Sequence, residues 1–521
     1  MFLEMCIEYP LLLLVFSACY MHSFCYWKNE YGKCVVAYPA IFSWADPKFV
    51  LSFLRATIVQ LGYVKLYDPD HVVRLTREIP KKNLVMQSAF DLHHYNANIL
   101  VNQETNPKQQ TLKHAAYVYM ADRTKSQFHS DCIPIFEHLT EQAAKQGMPL
   151  HDTITEALFA HQNNVLFDNF EPPAHFNHKD MAEWIKFMNY DNVKDRLGTL
   201  QCNVPSSYNL PTWFPVVGKR NRHRNKMINI FQTVIEELYQ YQLRLLTQGK
   251  PCLLQAAEDA LERRSCCGRN KGIGPATSSR LTGDEAKAFL FGLYSAAMLT
   301  SISTCMSIVH LLAKHPTIQI ELYDEIVRVV GEGGREGSEQ SHLQYDHIAK
   351  LYKTRAFVKE MMRLLSPAFT VARSIGTVDI YLSLKSLNQN SHLWGDGDCS
   401  VDSMNLGRFL RSTLTRKAAK DDPNKKQVVS GVMDQVSHKR FIPFGVGNRS
   451  CPGRDYVQFE FTMMIVHLLK AYSHISYSHG GEEMMVSYEG LVTHILNPYK
   501  VDFEFCPRKT SGSTTYQDEA S

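Results

Sequence analysis

The feature that most constrains this chain is one cysteine set among three glycines, in the run Phe444-Gly445-Val446-Gly447-Asn448-Arg449-Ser450-Cys451-Pro452-Gly453. Glycine lets the backbone turn tightly and approach a flat ligand closely. Arg449 adds positive charge, and the apolar stretch Val457–Leu469 is typical of a helix whose N-terminal dipole stabilises a thiolate. The alternative is a buried cysteine in a glycine-rich turn, the usual fate of a cysteine outside a disulfide. The pattern favours a thiolate that binds a ligand.

A second strong feature is the segment Ala288–Ala313, in which no residue carries a formal charge. The helix is expected to begin near Thr282-Gly283-Asp284-Glu285. Its length would suit a transmembrane span. However, serines and threonines interrupt it, and it continues into the polar helix Ile318–Val330. We therefore predict a helix buried in a large soluble core, with some hydroxyls facing a cavity.

The N-terminal segment Tyr9–Trp27 has no formal charge and is long enough to span a bilayer as a helix. Acidic residues precede it, while Lys28 and Lys33 follow it, so the positive-inside tendency puts the rest of the chain in the cytosol. A cleaved signal peptide is the alternative, but neither a basic leader nor a clear small-residue cleavage site is present. We expect residues 1–33 to form a membrane anchor and its flank.

Composition narrows the class of protein further. The chain of 521 residues has a formal net charge of +4, too small an imbalance to argue for nucleic acid as a partner. Its 27 Phe and 25 Tyr indicate a large apolar interior or pocket. The 13 Cys are odd in number and scattered, so we expect the body of the chain to face a reducing compartment. Length alone suggests about three domains, with one large ligand-enclosing domain as the alternative. The Ser/Thr-rich tail over 508–521 is expected to be disordered.

The cysteine run resembles the haem-binding loop of the cytochrome P-450 superfamily, which reads Phe-x-x-Gly-x-Arg-x-Cys-x-Gly. Every specified position has its match in Phe444, Gly447, Arg449, Cys451 and Gly453. The resemblance implies that Cys451 is the axial ligand of the haem iron and that the other four residues help bind the cofactor, haem b (iron protoporphyrin IX). It extends in the right order from Asp68 to the end of the chain, and it implies a single haem domain over 34–507.

Three further residues match a charged network of that family. Glu360 and Arg363 match its Glu-x-x-Arg helix, a spacing that puts both residues on one helical face. Arg408, in Leu406-Gly407-Arg408-Phe409, matches its Pro-x-Arg-Phe segment. A Glu-x-x-Arg pair by itself is usually a solvated surface pair. With Arg408, the resemblance implies that the three residues join in a buried structural network behind the haem.

The resemblance also assigns basic residues to the haem carboxylates. Arg373 falls where the family places a propionate partner, and a guanidinium there would make charge-assisted hydrogen bonds. The family's Trp-x-x-x-Arg helix should lie near Thr111–Tyr119, but neither of those two residues occurs there. Lys113 and His114 are the candidate partners in that segment.

The oxygen-binding motif of the family falls on Ala296-Ala297-Met298-Leu299-Thr300-Ser301. Thr300 would be the catalytic hydroxyl that helps deliver protons to dioxygen. The alternative is a threonine bonded back to the preceding helical turn. The family commonly has an acid before this threonine, where the chain has Leu299. Proton supply would then use another route or be inefficient.

Two other departures concern the network and the pocket. Leu406 replaces the expected proline. Between Arg373 and His392 the chain is shorter than the family pattern, as if a strand hairpin were absent. That hairpin lies near the substrate pocket in relatives, so the shape of the pocket does not transfer to this chain.

The resemblance implies a mainly α fold, in which a large helical haem domain carries small β-sheets and an N-terminal membrane helix. It implies a monooxygenase that inserts one oxygen atom from O2 into an apolar substrate of sterol, lipid or xenobiotic type. Electrons would come from an NADPH-dependent reductase, with cytochrome b5 as a second donor, because the chain has no nucleotide-binding fingerprint. Lys439 and Arg440 are candidates for the reductase surface. The implied location is the endoplasmic reticulum membrane, with the catalytic domain facing the cytosol.

Three alternatives stay open. Leu299 suits a haem-thiolate enzyme that rearranges a peroxide, chemistry that needs no proton relay to dioxygen. A catalytically silent haem-binding protein would account for the degraded motifs. A two-span membrane protein without haem is supported only by the neutral segments.

Overall fold

The computed structural model describes the helical body of the chain most fully. It describes residues 25–28, 34–37, 63–66, 69–78, 107–145, 149–181, 213, 218–266, 280–331, 343–368, 370–375, 378–394, 400–413, 428–432, 441–479, 482–487, 494–495 and 497–508.

Helices dominate the described residues, which confirms the prediction of a mainly α fold. Two π-helical turns, Phe128–Cys132 and Gln162–Leu166, adjoin the third and fourth helices. The helices in chain order are α1 Pro69–Glu78, α2 Pro107–Ser126, α3 Ile133–Ala143, α4 Leu150–His161, α5 Gly218–Thr247, α6 Leu253–Cys266, α7 Gly283–Lys314, α8 Pro316–Val330, α9 Tyr345–Lys350, α10 Tyr352–Leu364, α11 Leu384–Asn388, α12 Ser391–Trp394 and α13 Arg454–Ala471.

In the part of the chain that the structure describes, four small sheets accompany the helices. The largest has five strands in the order β1-β2-β3-β5-β4, in which β3 and β5 are parallel and the other neighbours antiparallel. The others are antiparallel pairs of β6 with β7, β8 with β11, and β9 with β10. The strands are β1 Cys25–Lys28, β2 Cys34–Ala37, β3 Tyr63–Leu66, β4 Thr370–Ile375, β5 Val378–Ser383, β6 Leu410–Thr413, β7 Val428–Val432, β8 Tyr472–Tyr477, β9 Val486–Ser487, β10 His494–Ile495 and β11 Phe503–Pro507.

Helix α7 runs through the hydrophobic core, where it packs against α4, α5 and α13. Its start is fixed by a capping box, in which the Thr282 hydroxyl accepts from the Glu285 amide and the Glu285 carboxylate accepts from the Thr282 amide. Phe289, Phe291 and Tyr294 are fully buried. Among the described helices α7 is long and apolar enough to cross a membrane, yet 82% of that stretch is buried inside the protein. This burial agrees with a core helix.

The connection between β4 and β5 bears on the pocket. The two strands pair antiparallel, from Thr370 with Ser383 to Ile375 with Val378. Only residues 376–377 join them, which is too short a connection to hold another pair of strands. The hairpin that the sequence comparison found missing therefore has no room at this point.

Two predicted segments at the chain ends have different boundaries in the structure. Cys25–Lys28 forms β1, so the last three residues of the predicted span 9–27 belong to a sheet, as aromatic Tyr26 and Trp27 favour. Residues 9–24 lie outside the described residues. At the other end, Arg508 donates from its amide to the Ala471 carbonyl and from Nε to the Leu469 carbonyl, so the predicted tail starts too early. Residues 509–521 also lie outside the described residues.

The sequence of Leu139–Ala160 predicts a long helical stretch, but the structure divides it between two helices. Helix α3 ends at Ala143, and α4 begins at Leu150. Pro149 stands between them as the N-cap of α4, with an extended ψ of 136°. Proline cannot continue a helix from the preceding turn but fits just before a new one.

Candidate active site

The cysteine run forms a tight loop that its own backbone holds together. The Cys451 amide donates to the Phe444 carbonyl at 2.8 Å, and the Ser450 amide donates to the Gly447 carbonyl at 3.0 Å. Gly445 and Gly447 have φ values of +67° and +69°, a left-handed conformation that only glycine adopts readily. The loop therefore depends on both glycines.

Helix α13 begins directly behind this loop. Gly453 is its N-cap, and the Gly453 carbonyl accepts from the Val457 amide at 2.9 Å. The helix then enters the core, where Phe461, Met463 and Ile465 are buried. The partial positive charge of the helix N-terminus therefore lies beside Cys451, where it favours a thiolate.

The accessibility of Cys451 tests whether the loop can hold a haem group. Cys451 is exposed, although Ile442 before it and Tyr456 after it are only 3% and 4% exposed. A thiol held in a fixed loop between two buried residues is open to a ligand from outside the chain. A thiolate is a common axial ligand of haem iron. The residues of this loop therefore fit the group.

Basic side chains adjoin the loop from two directions. Lys113 reaches across from α2, and its Nζ donates to the Ser450 carbonyl. Arg449 is partly buried within the loop, and burial lowers its pKa, but a guanidinium keeps its charge. His114 is exposed on α2, with its ring 6.5 Å from that of Tyr117. Lys113 thus adjoins the Cys451 loop, whereas His114 faces solvent.

Glu360, Arg363 and Arg408 meet in a fully buried ion network. The Glu360 carboxylate accepts from Arg363 Nε at 2.7 Å, from Arg363 Nη2 at 2.8 Å and from Arg408 Nη1 at 2.6 Å. None of the three side chains is more than 2% exposed. Remaining guanidinium protons go to backbone carbonyls, including those of Asn388, Trp394 and Ser400. Charges this deep need such complete hydrogen bonding.

The turn that carries Arg408 forms without the proline of the family pattern. Leu406–Arg408 is a 3-10 turn, and the Asn405 side chain accepts from the Gly407 amide at 2.9 Å. The Asn405 amide in turn donates to Glu360 at 3.1 Å. The next residue, Phe409, packs edge-on against Phe441 with 4.9 Å between ring centroids. Because Phe441 leads into the cysteine loop, the network and the loop share one packed region.

Two predicted residues lie on other elements. Thr300 is on α7, where its hydroxyl donates to the Ala296 carbonyl of the preceding turn at 3.3 Å. Arg373 is on β4 and pairs in register with Ile380; its side chain lies outside what the structure describes. Phe444 is half-buried and packs against the main core.

One buried polar group of this region was missed by sequence reasoning. Glu460 is 3% exposed and lies inside Val457–Leu469, a stretch whose overall pattern is apolar. Its carboxylate contacts His161 of α4 and Ser301 of α7. A single acid in an otherwise apolar helix was the signal that could have found it, because buried charges are paired.

A helical fold with an exposed cysteine at the start of a core helix, backed by a buried charge network, defines the class of haem-thiolate proteins. The chain belongs to the cytochrome P450 family, whose model matches residues 150–503. Membership implies haem b as the cofactor.

Known proteins of this family resemble the chain over part of its length. Sterol 14-alpha demethylase CYP51A of Gibberella zeae is 24% identical over 238 residues, which are 43% of this chain and 44% of that protein. A putative cytochrome P450, CYP13A10, of Caenorhabditis elegans is 27% identical over 286 residues, 50% of this chain and 49% of that protein. The matches thus span about half the length of these relatives.

A solved structure shares the fold more completely. The haem domain of a cytochrome P450DA mutant aligns with a TM-score of 0.59 and 16% identity, covering 86% of this chain and 88% of that one. At that identity the likeness establishes the fold alone.

Proposed function

We propose that the chain is a haem-thiolate monooxygenase that inserts one oxygen atom from dioxygen into an apolar substrate. The observation that carries the proposal is the exposed Cys451 in a loop held at the N-terminal end of α13. When bound, haem supplies the redox chemistry, and a thiolate ligand favours O–O cleavage. Sterol, lipid and xenobiotic-like molecules are the candidate substrates, and the sterol named for the fungal relative belongs to this class.

Basic residues near the loop are proposed to hold the cofactor. Cys451 would hold the haem iron through its sulfur, and Arg449 and the α13 dipole would favour the thiolate form. Lys113, which already reaches the Ser450 carbonyl, is close enough to the loop to bind a haem carboxylate. Arg373 and His114 are proposed as further carboxylate partners, on the family resemblance alone.

The remaining predicted residues are proposed to shape and support the site. Phe444, Gly447 and Gly453 form the loop, and the positive φ of Gly447 is part of its shape. The network of Glu360, Arg363 and Arg408 is proposed to keep the chain behind the loop rigid. Its burial and short ion pairs support that role. Thr300 is proposed to supply the hydroxyl that helps move protons to dioxygen.

The electron donor is proposed to dock beside the cysteine loop. A cavity of about 640 Å³ opens there between α9, α10 and α13, lined by residues 444–446 of the loop and by Arg355, Lys359 and Arg454. The lining also holds Asp346 and Asp455, and Arg454 pairs with Asp455, so its basic excess is one charge. That excess favours an acidic partner such as an NADPH-dependent reductase or cytochrome b5. Lys439 and Arg440 lie outside the described residues and stay candidates for the same face.

The proposal of a membrane location rests on the neutral segment 9–24 and on the basic residues that follow it. Deletion of residues 2–24 leaves β1 in place and tests the anchor. We expect the full chain to sediment with endoplasmic reticulum membranes after alkaline extraction and the deleted chain to be released. Equal retention of both would contradict the anchor.

A second candidate function is the rearrangement of a peroxide on the same haem. It is favoured by Leu299 in the place of an acid and by the Thr300 hydroxyl, which bonds to its own helix at Ala296. Such chemistry needs no electron donor and no proton relay to dioxygen.

One experiment distinguishes the two candidate functions. It compares the turnover of sterols, fatty acids and their hydroperoxides by the haem-loaded full chain. One arm contains NADPH and reductase, the other neither. Product that appears only with NADPH and reductase, and disappears in Cys451→Ala, is the expected result. Product from a hydroperoxide without an electron donor would establish the second candidate. No product in either arm, with haem bound, would instead indicate a catalytically silent haem protein.

A further inference from the structure

A buried charged cluster joins the helix that carries Thr300 to the helix that follows the Cys451 loop. The Ser301 hydroxyl of α7 donates to Oε2 of Glu460 in α13 at 3.3 Å. The other carboxylate oxygen, Oε1, lies 2.7 Å from Nδ1 of His161, the last residue of α4. The His161 side chain is fully buried and that of Glu460 is 4% exposed. Three helices therefore meet at one carboxylate.

The two ring nitrogens of His161 contact different buried groups. Nδ1 faces Glu460, and Nε2 lies 3.5 Å from Sγ of Cys132 in the first π turn. Tyr456 stacks on the imidazole at 5.3 Å, with its hydroxyl 3.1 Å from Nδ1. A carboxylate accepts at Nδ1, whereas a thiol at Nε2 accepts from an imidazolium or donates to a neutral ring. Burial by itself lowers the pKa of His161, but the hydrogen bonds to Cys132 and Glu460 outweigh it and raise the pKa to about 10.

Ser301 differs from its neighbours in where its hydroxyl goes. The hydroxyls of Ser295, Thr304 and Ser307 donate to carbonyls of α7 itself. Such bonds satisfy the hydroxyl without fixing the helix against a neighbour. The Ser301 bond crosses to a second helix and ends on a charge whose counter-ion lies on a third. Because either charge alone would be very costly at this depth, the pair holds the helices in one arrangement.

We propose that Ser301, Glu460 and His161 form an interhelical clamp that sets the position of Thr300 relative to the Cys451 loop. Ser301 directly follows Thr300, and Glu460 lies on the helix that begins behind Cys451. Glu460 and His161 are positioning residues, since they act through the two helices. The inference rests on the proposed function only in that Thr300 and Cys451 are both taken to face the cofactor.

The first test measures the rate at which carbon monoxide binds the ferrous, haem-loaded full chain from about pH 6 to about pH 9. Carbon monoxide has no titratable proton, and His161 stays charged over this range, so the unchanged protein should give a flat profile. In Glu460→Gln the imidazolium loses its counter-charge, and its pKa falls into the range. The rate should then change by about fivefold or more across it.

The buried tyrosine and cysteine beside this pair titrate above the same range. Tyr456 and Cys305 lie beside Glu460, and burial, the largest cause, raises the pKa of each well above its usual value. Cys132 faces the opposite side of His161, and its hydrogen bond helps to raise the pKa of His161, so the control removes the imidazole itself, by His161→Asn in the Glu460→Gln background. A pH dependence that vanishes with this second change belongs to His161, as expected; one that survives it would overturn the assignment.

The second test needs no haem and no variant of the charged pair. Amide hydrogen exchange in residues 299–304 is compared between Ser301→Ala and Ser307→Ala, a matched change at a buried hydroxyl bonded within α7. Exchange should be faster by about fivefold or more in Ser301→Ala alone, as expected for the loss of one buried hydrogen bond. Equal exchange in the two variants would overturn the clamp, as would a flat profile in folded Glu460→Gln. Neither readout depends on turnover, so a chain that oxidises no substrate would still show both effects.

Discussion

The two sides of the proposed haem site are held in different ways. Behind the Cys451 loop, one buried carboxylate, Glu360, binds guanidinium groups from two separate segments of chain, at Arg363 and Arg408. On the α7 side, the Thr300 hydroxyl bonds to Ala296 of its own helix. The Glu360 network joins distant segments of chain through two ion pairs, whereas the Thr300 bond constrains only one turn, and α7 is fixed to its neighbours through the adjacent Ser301. The support behind the cysteine loop therefore comes from charge pairs between distant segments, while the Thr300 hydroxyl itself is held locally.

The largest effect should come from breaking the network on the loop side. Glu360→Gln leaves two buried guanidinium groups without their carboxylate, which should cost about 3–5 kcal/mol of unfolding free energy. Urea unfolding of the haem-loaded chain measures it. The matched control is Glu321→Gln, which removes an exposed ion pair with Lys353 and should cost less than about 1 kcal/mol. Similar losses in both variants would mean that the buried network stabilises the chain no more than an exposed ion pair does.

Opposite pH dependences should separate two buried histidines. The pKa of His161 is raised from 6.5 to about 10. The contribution of His161 to the free energy of unfolding is therefore complete below pH 6.5 and is lost as the pH rises toward 10. The pKa of His310 on α7 is lowered to about 4 by burial and by Lys314. Its stabilisation is complete above pH 6.5 and is lost as the pH falls toward 4.

Unfolding free energy measured against pH checks this pair. His161→Asn should flatten the alkaline limb and leave the acid limb, whereas His310→Asn should do the reverse. If each variant altered both limbs alike, the two histidines would not titrate as separate groups.

A smaller effect on stability should follow from replacing a glycine with a left-handed conformation, either inside the Cys451 loop or outside it. Gly447→Ala places a side chain at a φ of +69°, and Gly249→Ala places one at +66°. Each change should lower the free energy of unfolding by about 1–2 kcal/mol. A Cβ at Gly249 would meet nothing within 4 Å, so it reports the backbone cost alone. Only Gly447→Ala should also lower haem occupancy, measured by absorbance against protein concentration. Loss of haem in both variants would mean that haem binding does not depend specifically on the conformation of the Cys451 loop.

The smallest effect on stability should occur on the α7 side. Thr300→Val and Thr304→Val each remove a hydroxyl bonded within the helix, so each should cost less than about 1 kcal/mol. Product formed per NADPH consumed should fall in Thr300→Val and stay unchanged in Thr304→Val. An unchanged yield in both variants would exclude Thr300 from proton delivery.

The features that could be predicted from the sequence depend on residues that lie close together along the chain. The cysteine loop, the start of α7 at Thr282 and the pairing of Glu360 with Arg363 each depend on residues a few positions apart. Arg408 was placed by the family pattern, and the structure brings it to the same carboxylate. Spacing on a helical face and glycine conformation are enough for such features.

The parts that were missed depend on contacts between distant segments. His161 and Glu460 lie far apart along the chain, and no periodicity connects them. The break at Pro149 was overlooked because the apolar positions on both sides suit one continuous helix. Pairing of β1 with β2 likewise depends on a partner strand and not on the hydropathy of residues 9–27. Each of these features depends on tertiary contacts, which local sequence patterns do not show.

The most direct test of the central claim is the absorption spectrum of the reduced, haem-loaded chain with carbon monoxide. Thiolate ligation by Cys451 predicts a red-shifted Soret band in the unchanged protein and its disappearance in Cys451→Ala, with Cys305→Ala, a fully buried cysteine on α7, as the control that keeps it. A purified chain that binds no haem, or a red-shifted band that persists in Cys451→Ala, would contradict the account.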